Sequence, residues 1–114
     1  MNDNYLTDDW ILKMFSEWFD PCPLNENPTI DGLKIEWKDK TYVNPPYSDP
    51  MPWIEKAIEE SNKGKTIVML VKVDTSTKWF LKIVEAKAHI LFIHGRLKYQ
   101  TGSPAAFPSM LVIF

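Results

Sequence analysis

Four consecutive residues, Asn44-Pro45-Pro46-Tyr47, combine groups that can do chemistry on a planar amine. The Asn44 amide oxygen is an acceptor, and the Pro45 carbonyl is a second one on a residue that has no N–H. An amine with two N–H donors, such as the exocyclic group of adenine, fits between two such oxygens. Its hydrogens would be drawn out of conjugation and its lone pair turned toward an incoming methyl group. Tyr47 can stack on the face of a base pulled out of its helix. The same four residues also suit an ordinary surface turn or a polyproline segment, so the surrounding chain must decide.

The elements that would position this tetrapeptide are legible. Thr41-Tyr42-Val43 are β-formers, and the proline pair ends their strand abruptly. In an open α/β sheet, the C-terminal end of a strand is where ligands bind. Beyond the turn, Ser48 or Asp49 can cap a helix carrying Pro50 and Pro52 in its first turn, with Trp53, Ile54, Ala57 and Ile58 as its buried stripe and Gly64 as its stop. Thr66–Val71 is a continuous apolar run, as in a parallel strand covered on both faces. Thr75 or Ser76 can cap a helix to Glu85, with Trp79, Phe80 and Ile83 inward. His89–Ile93 reads as a strand and His94-Gly95 as a turn. Arg96–Tyr99 and Ser109–Phe114 read as two more strands, joined by the proline-containing loop Thr101–Pro108 in a hairpin-like pair.

Upstream, Thr7 suits an N-cap with acids in the first turn, and the spacing of Ile11, Leu12, Phe15, Trp18 and Phe19 predicts a helix over 8–17 running into a short strand at 18–20. Asp20 then falls on the ligand-binding edge or serves as a plain loop cap. Pro21, Cys22 and Leu24 form a stiff, partly apolar loop, and Asp31-Gly32 marks a turn. Leu33, Ile35 and Trp37 alternate with charged residues in a short half-buried segment. Strands alternating with helices and ending in a hairpin predict an α/β three-layer sandwich with a mainly parallel sheet and a C-terminal antiparallel hairpin.

The 114 residues predict one domain, 1–114, with 45% hydrophobic and 25% charged residues, ordinary for a soluble globular protein. No apolar run reaches membrane-spanning length, and the N-terminus lacks the pattern of a secretory signal. Cys22 is the single cysteine, which fits a reducing, cytoplasmic compartment. One cysteine, with His89 and His94 reading as strand-end residues, makes no credible zinc set, so no metal is expected. The net charge of −2 hides an asymmetry: residues 1–62 carry thirteen acids and five bases, residues 63–114 two acids and eight bases. The basic half suggests a surface facing a polyanion, with Lys72, Lys78, Lys82, Arg96 and Lys98 as phosphate contacts. Read plainly, these are solvated surface cations.

Asn-Pro-Pro-Tyr is the signature of amino-group methyltransferases that use S-adenosylmethionine, and the chain as a whole resembles the small phage-type DNA N6-adenine methyltransferases of viral and prophage genomes. The resemblance runs through Thr7, Phe19-Asp-Pro-Cys-Pro23, Asp31-Gly-Leu33 with Trp37, Val43–Ser48, Trp53 with Lys56-Ala57, Thr75 and Thr77 before Trp79-Phe80, Gly95-Arg-Leu97, and Ala106–Ser109 with Leu111–Phe114. It covers nearly the whole chain.

The resemblance implies a compact, Rossmann-like methyltransferase fold and an enzyme that methylates adenine N6 in DNA. It assigns Asn44, Pro45, Pro46 and Tyr47 to the amine site and Asp20, Pro21, Cys22, Thr7 and Asp31 to the S-adenosylmethionine pocket. It leaves Lys72, Lys78, Arg96 and Lys98 to the nucleic acid, and implies action in the host-cell cytoplasm. Two departures stand out. No glycine lies in the Asp20–Asn25 loop, where many relatives of the broader fold have a glycine-rich turn, and Ser76 stands where relatives tend to carry Asp between the two threonines. Alternative readings are a catalytically silent nucleic-acid-binding module of the same fold, or methylation of another planar amine or amide, such as guanine in RNA or a protein glutamine. A protomer this small can dimerise to complete a DNA-binding surface, though no stretch demands it.

Overall fold

The computed structural model describes residues 9–23, 31–98 and 104–114. Thr7, Leu24 and Tyr99, named above, lie outside them. Among the described residues seven elements follow one another: α1 (Asp9–Met14), β1 (Lys40–Val43), α2 (Met51–Ser61), β2 (Thr66–Lys72), α3 (Lys78–Glu85), β3 (His89–Phe92) and β4 (Ser109–Ile113).

The sheet order is β1-β2-β4-β3. β1 pairs with β2 in parallel, while β4 pairs antiparallel with both β2 and β3. The expected mainly parallel sheet is therefore corrected to a mixed one. β1, β2 and β3 still run in the same direction, and β4 alone runs against them because it returns into the gap between β2 and β3. The expected hairpin is corrected as well: the partner of β4 is β3, and the described residues 96–98 form no strand beyond one bridge, Lys98 to Pro104. Gly95, at φ +70°, turns the chain away, and Pro104 brings no N–H to extend a ladder.

β2 explains why its sequence is apolar throughout. Ile67, Met69 and Val71 enter one core with Val43, Ile54, Ala57, Trp79, Ile83, Met110 and Val112. Val68 and Leu70 enter a second core with Ile11, Tyr42, Leu97 and Leu111. α2 and α3 thus contribute to the core on one face of the sheet, and α1 to the core on the other.

The helix ends differ from expectation for identifiable reasons. α1 stops at Met14, and a turn from Phe15 to Trp18 delivers Phe19 to the sheet, where it bridges Thr41 in parallel. This single residue replaces the expected strand at 18–20. At α2 the cap position is Pro50, and no side chain caps it. Pro50 and Pro52 have no N–H for Ser48 or Asp49 to satisfy. At α3, Asp74 takes both the N–H and the hydroxyl of Ser76, so the cap falls to Thr77, whose Oγ1 accepts from Phe80 N–H at 3.1 Å. Residues 33–37 form a turn and extended chain rather than a strand.

One buried charge anchors the edge opposite the strand C-termini. Glu60, at the end of α2, has no exposed side-chain surface and meets Lys56 and Lys63 at 3.2 Å each and Lys65 at 3.0 Å. Trp37 N–H donates to its Oε1 at 2.7 Å. Burial pushes the Glu60 carboxyl up, but this N–H and the three ammoniums outweigh it and hold the pKa at about 2.

Candidate active site

Because Phe19, β1, β2 and β3 share one direction, their C-terminal ends share one edge of the sheet. Asn44 is the first residue beyond β1 and is half-buried, with its Oδ1 shielded from water. Pro45 is buried behind it. Tyr47 lies edge-to-face on Phe107, ring centroids 4.9 Å apart and planes at 83°. Phe107 is held there from two directions: Val73 N–H donates to Pro108 O at 2.9 Å, and Ser109 begins the ladder opposite Lys72. The sequence marks the Ala105–Ser109 loop as part of the family pattern but assigns Phe107 no role. Its partner is 60 residues away in the chain, so only the β2–β4 pairing reveals it.

A shallow recess of about 200 Å³, partly open to solvent, adjoins the tetrapeptide between Pro45, Pro46, Tyr47, Pro50, Val71, Lys72 and Trp79. It shares Tyr47 with the aromatic pair but not Asn44. Lys72 ends β2 here, 4.0 Å from Asp74. The Ser76 hydroxyl and N–H, joined by Lys72, hold the Asp74 carboxyl below the usual range. Ser76 therefore does not strip this edge of negative charge, because Asp74 keeps a carboxylate beside Lys72.

Asp20 follows Phe19 at the same edge. Its Oδ1 accepts from Cys22 N–H at 2.9 Å, which closes the Asp20–Cys22 turn. Asp20 is exposed, yet enough protein crowds it that desolvation outweighs this bond and raises its pKa. Burial, together with the Asp20 charge, pushes the Cys22 thiol up to about 11. The thiol is therefore neutral, an apolar wall rather than a nucleophile. Asp31 likewise accepts a backbone N–H, from Leu33 at 3.0 Å. Gly32 brings the two turns together: a Cβ there would overlap the Pro21 carbonyl oxygen and come within 2.9 Å of the Trp53 ring. Its own carbonyl accepts from Trp37 Nε1 at 2.7 Å. The close approach of the two turns thus requires a glycine at position 32.

The cations divide in two. Lys63 and Lys65 are taken up by Glu60 at the far edge, and Lys82 pairs with Glu55 at 3.3 Å on the surface. Lys72 ends β2 and Lys78 opens α3, so both lie toward the edge that carries Asn44, whereas Arg96 and Lys98 flank Leu97, which is buried with Tyr42, Leu70 and Leu111. Among the described residues, no group of three or more His, Cys, Asp or Glu surrounds a common metal position. Nor is any described helix long and apolar enough to cross a membrane.

The family model described as DNA N-6-adenine-methyltransferase (Dam) matches residues 22–109. The DNA N-6-adenine-methyltransferase of Haemophilus phage HP1 (strain HP1c1) is 32% identical over 135 residues, covering 98% of this chain and 78% of the relative. That of Escherichia phage T1 is 40% identical over 67 residues, covering 57% of this chain and 28% of the relative. No solved structure matches at a significant level. By both the matched span and the relative from phage HP1, the chain belongs to the DNA N-6-adenine-methyltransferase (Dam) family.

Proposed function

We propose that the chain transfers a methyl group from S-adenosylmethionine to the N6 amine of adenine in DNA, with residues 1–114 acting as one Rossmann-like, three-layer methyltransferase domain. The observation that carries the site assignment is the position of the Asn44–Tyr47 turn. It stands at the C-terminal end of β1, with Tyr47 locked against Phe107 and the Asp20 turn on the adjoining strand position. Asn44 Oδ1 and the Pro45 carbonyl accept the two amine hydrogens and disperse the positive charge that N6 gains. Tyr47, braced edge-to-face by Phe107, stacks on the flipped base. Catalysis is then mostly orientation and exclusion of water.

The donor set suits the methyl donor. Asp20 spends one oxygen on a backbone N–H and offers the other to a ribose hydroxyl or an ammonium, Asp31 shares its carboxylate between Leu33 N–H and Lys34 at the neighbouring turn, and Pro21 and Cys22 offer an apolar wall. When bound, S-adenosylmethionine supplies an electrophilic methyl on a sulfonium, so N6 gains a bond to carbon, the sulfonium loses one, and the extra N6 proton leaves to solvent. Lys72, Lys78, Arg96 and Lys98 position the phosphates without reading sequence. The relatives come from phages, and a viral enzyme acting on DNA in the host cytoplasm is the setting this reading implies.

The test is transfer of labelled methyl to unmethylated DNA, followed by nucleoside analysis, with Asn44→Ala as control. Label in N6-methyladenine that falls by roughly 10²–10³ in the variant is expected, as when one preorganised polar contact to a developing charge is removed. Label confined to RNA or protein would move the substrate. No label, with no rise in melting temperature on adding the donor, would leave the silent binding module.

A further inference from the structure

Trp53 is part of the family pattern, yet nothing above gives it a task. It stands in the first turn of α2, at the end that joins the Asn44–Tyr47 turn. Of the eight residues from 45 to 52, four are prolines, which fix φ and leave the chain few ways to bend. Asp49 N–H donates to Pro46 O at 3.4 Å and Ile54 N–H to Pro50 O at 3.0 Å, so the turn passes directly into the helix. Ile54 and Ala57 then seat α2 in the core that holds Val43, at the end of β1. The Trp53 backbone and the amine-site turn thus form one stiff piece.

The Trp53 ring reaches the other half of the site. A Cβ on Gly32 would lie 2.9 Å from the Trp53 Cη2 and would overlap the Pro21 carbonyl oxygen. The Gly32 backbone is therefore wedged between this indole and the Asp20–Cys22 turn. Trp37 holds it there: its Nε1 donates to Gly32 O at 2.7 Å, and its ring stacks with Trp53, centroids 6.4 Å apart and planes at 21°. Trp53, Lys56 and Glu60 share one face of α2 at i, i+3 and i+7. Lys56 lies 5.9 Å over the Trp37 ring and Glu60 accepts from Trp37 N–H. Residues 32 to 37 consequently run along that face, with Gly32 at the Trp53 end.

We propose that Trp53 is a positioning residue for methyl transfer. Its indole is a rigid strut that sets the separation between the Asp20 and Asp31 turns, which hold the methyl donor, and the Asn44–Tyr47 turn, which holds the adenine amine. The role rests on the methyltransferase reading proposed above. The N6 lone pair forms its bond to the methyl carbon as the carbon–sulfur bond breaks, so the rate depends steeply on that separation, and a misplacement of about 1 Å costs about 10²-fold. Phenylalanine at 53 keeps an apolar ring on the core but lacks the outer carbons of the indole that meet Gly32. It shortens the strut and leaves the hydrogen bonds within the Asp20 and Asp31 turns in place.

Trp53→Phe in the full chain tests this with three readouts. Single-turnover methyl transfer at saturating donor and DNA should fall by at least about tenfold, while the calorimetric Kd for S-adenosylhomocysteine stays within about threefold of the parent. With neither ligand present, the indole N–H resonance of Trp37 should shift, because its acceptor is the Gly32 carbonyl. Trp10→Phe, on the exposed side of α1, should keep the parent rate and leave the Trp37 resonance in place. If circular dichroism shows that Trp53→Phe does not fold, Trp53→Met, apolar but flexible, takes its place with the same expectations. A folded variant that transfers at the parent rate, that loses donor affinity as much as rate, or that leaves the Trp37 resonance unmoved would overturn the role of Trp53 alone. A parent protein that neither binds S-adenosylhomocysteine nor transfers methyl would overturn the methyltransferase reading and the strut with it.

Discussion

Replacing Glu60 by Gln removes one charge and almost no volume, and its effect can be worked out from its neighbours. Lys63, 45% exposed, can rehydrate, whereas Lys56 and Lys65 keep only 12% and 10% of their side-chain surface. Those two ammoniums are left confined without their counter-charge, although Lys65 keeps Glu36 at 3.2 Å. Breaking a buried pair costs about 3–5 kcal/mol. The residual Glu36 contact and the retained Trp37 N–H bond place this case at the lower end, about 3 kcal/mol. For a domain of this size, that is a fall in Tm of roughly 10 °C. The pH dependence has a definite sign. The folded pKa of about 2 lies below the ordinary glutamate value of 4.5, so this stabilisation is fully present above pH 4.5 and is lost as pH falls from there toward 2. Urea titrations of both proteins across that window should show the gap closing in acid. A difference under about 1 kcal/mol at neutral pH, or one that stays constant into acid, would refute the argument. Because Glu60 sits at the edge opposite Asn44, the KM for the methyl donor should not move.

Phe107→Ala removes the ring that braces Tyr47 and should weaken binding of DNA with an extrahelical adenine by up to about 1–3 kcal/mol, the worth of the Tyr47 stack it holds in place. Unchanged affinity, measured by fluorescence anisotropy, would take Phe107 out of the base site. Gly32→Ala cannot fit its Cβ without moving Pro21. It should lower Tm and, more tellingly, reduce the further Tm rise given by S-adenosylmethionine; a full cofactor-induced rise would show that the Asp20 turn does not need this contact. Lys78→Ala and Arg96→Ala should each flatten the slope of log affinity against log salt by about 1 while leaving sequence preference alone. A slope identical to the parent protein would remove those residues from the phosphate path.

The chain's own residues sufficed for much of this picture, because the relevant signals are local. A proline pair after three β-formers ends a strand whatever lies around it, so Asn44 at a strand terminus was readable from Thr41–Tyr47 alone. The apolar run in β2 and the spacing within α2 and α3 report burial in the same local way. What the sequence could not carry is which strand lies beside which. A β4 reversed between β2 and β3 looks, residue by residue, like any buried strand, and that insertion alone made the sheet mixed, placed Phe107 on Tyr47 and left β3 as a bare edge. Competition between neighbours was equally invisible: Asp74 captures Ser76, so Thr77 becomes the cap of α3. Nor could the charge census of the second half show that Lys63 and Lys65 meet a partner, Glu60, from the first half. Pairing partners far apart in the chain are chosen by packing, and only the folded structure makes that choice.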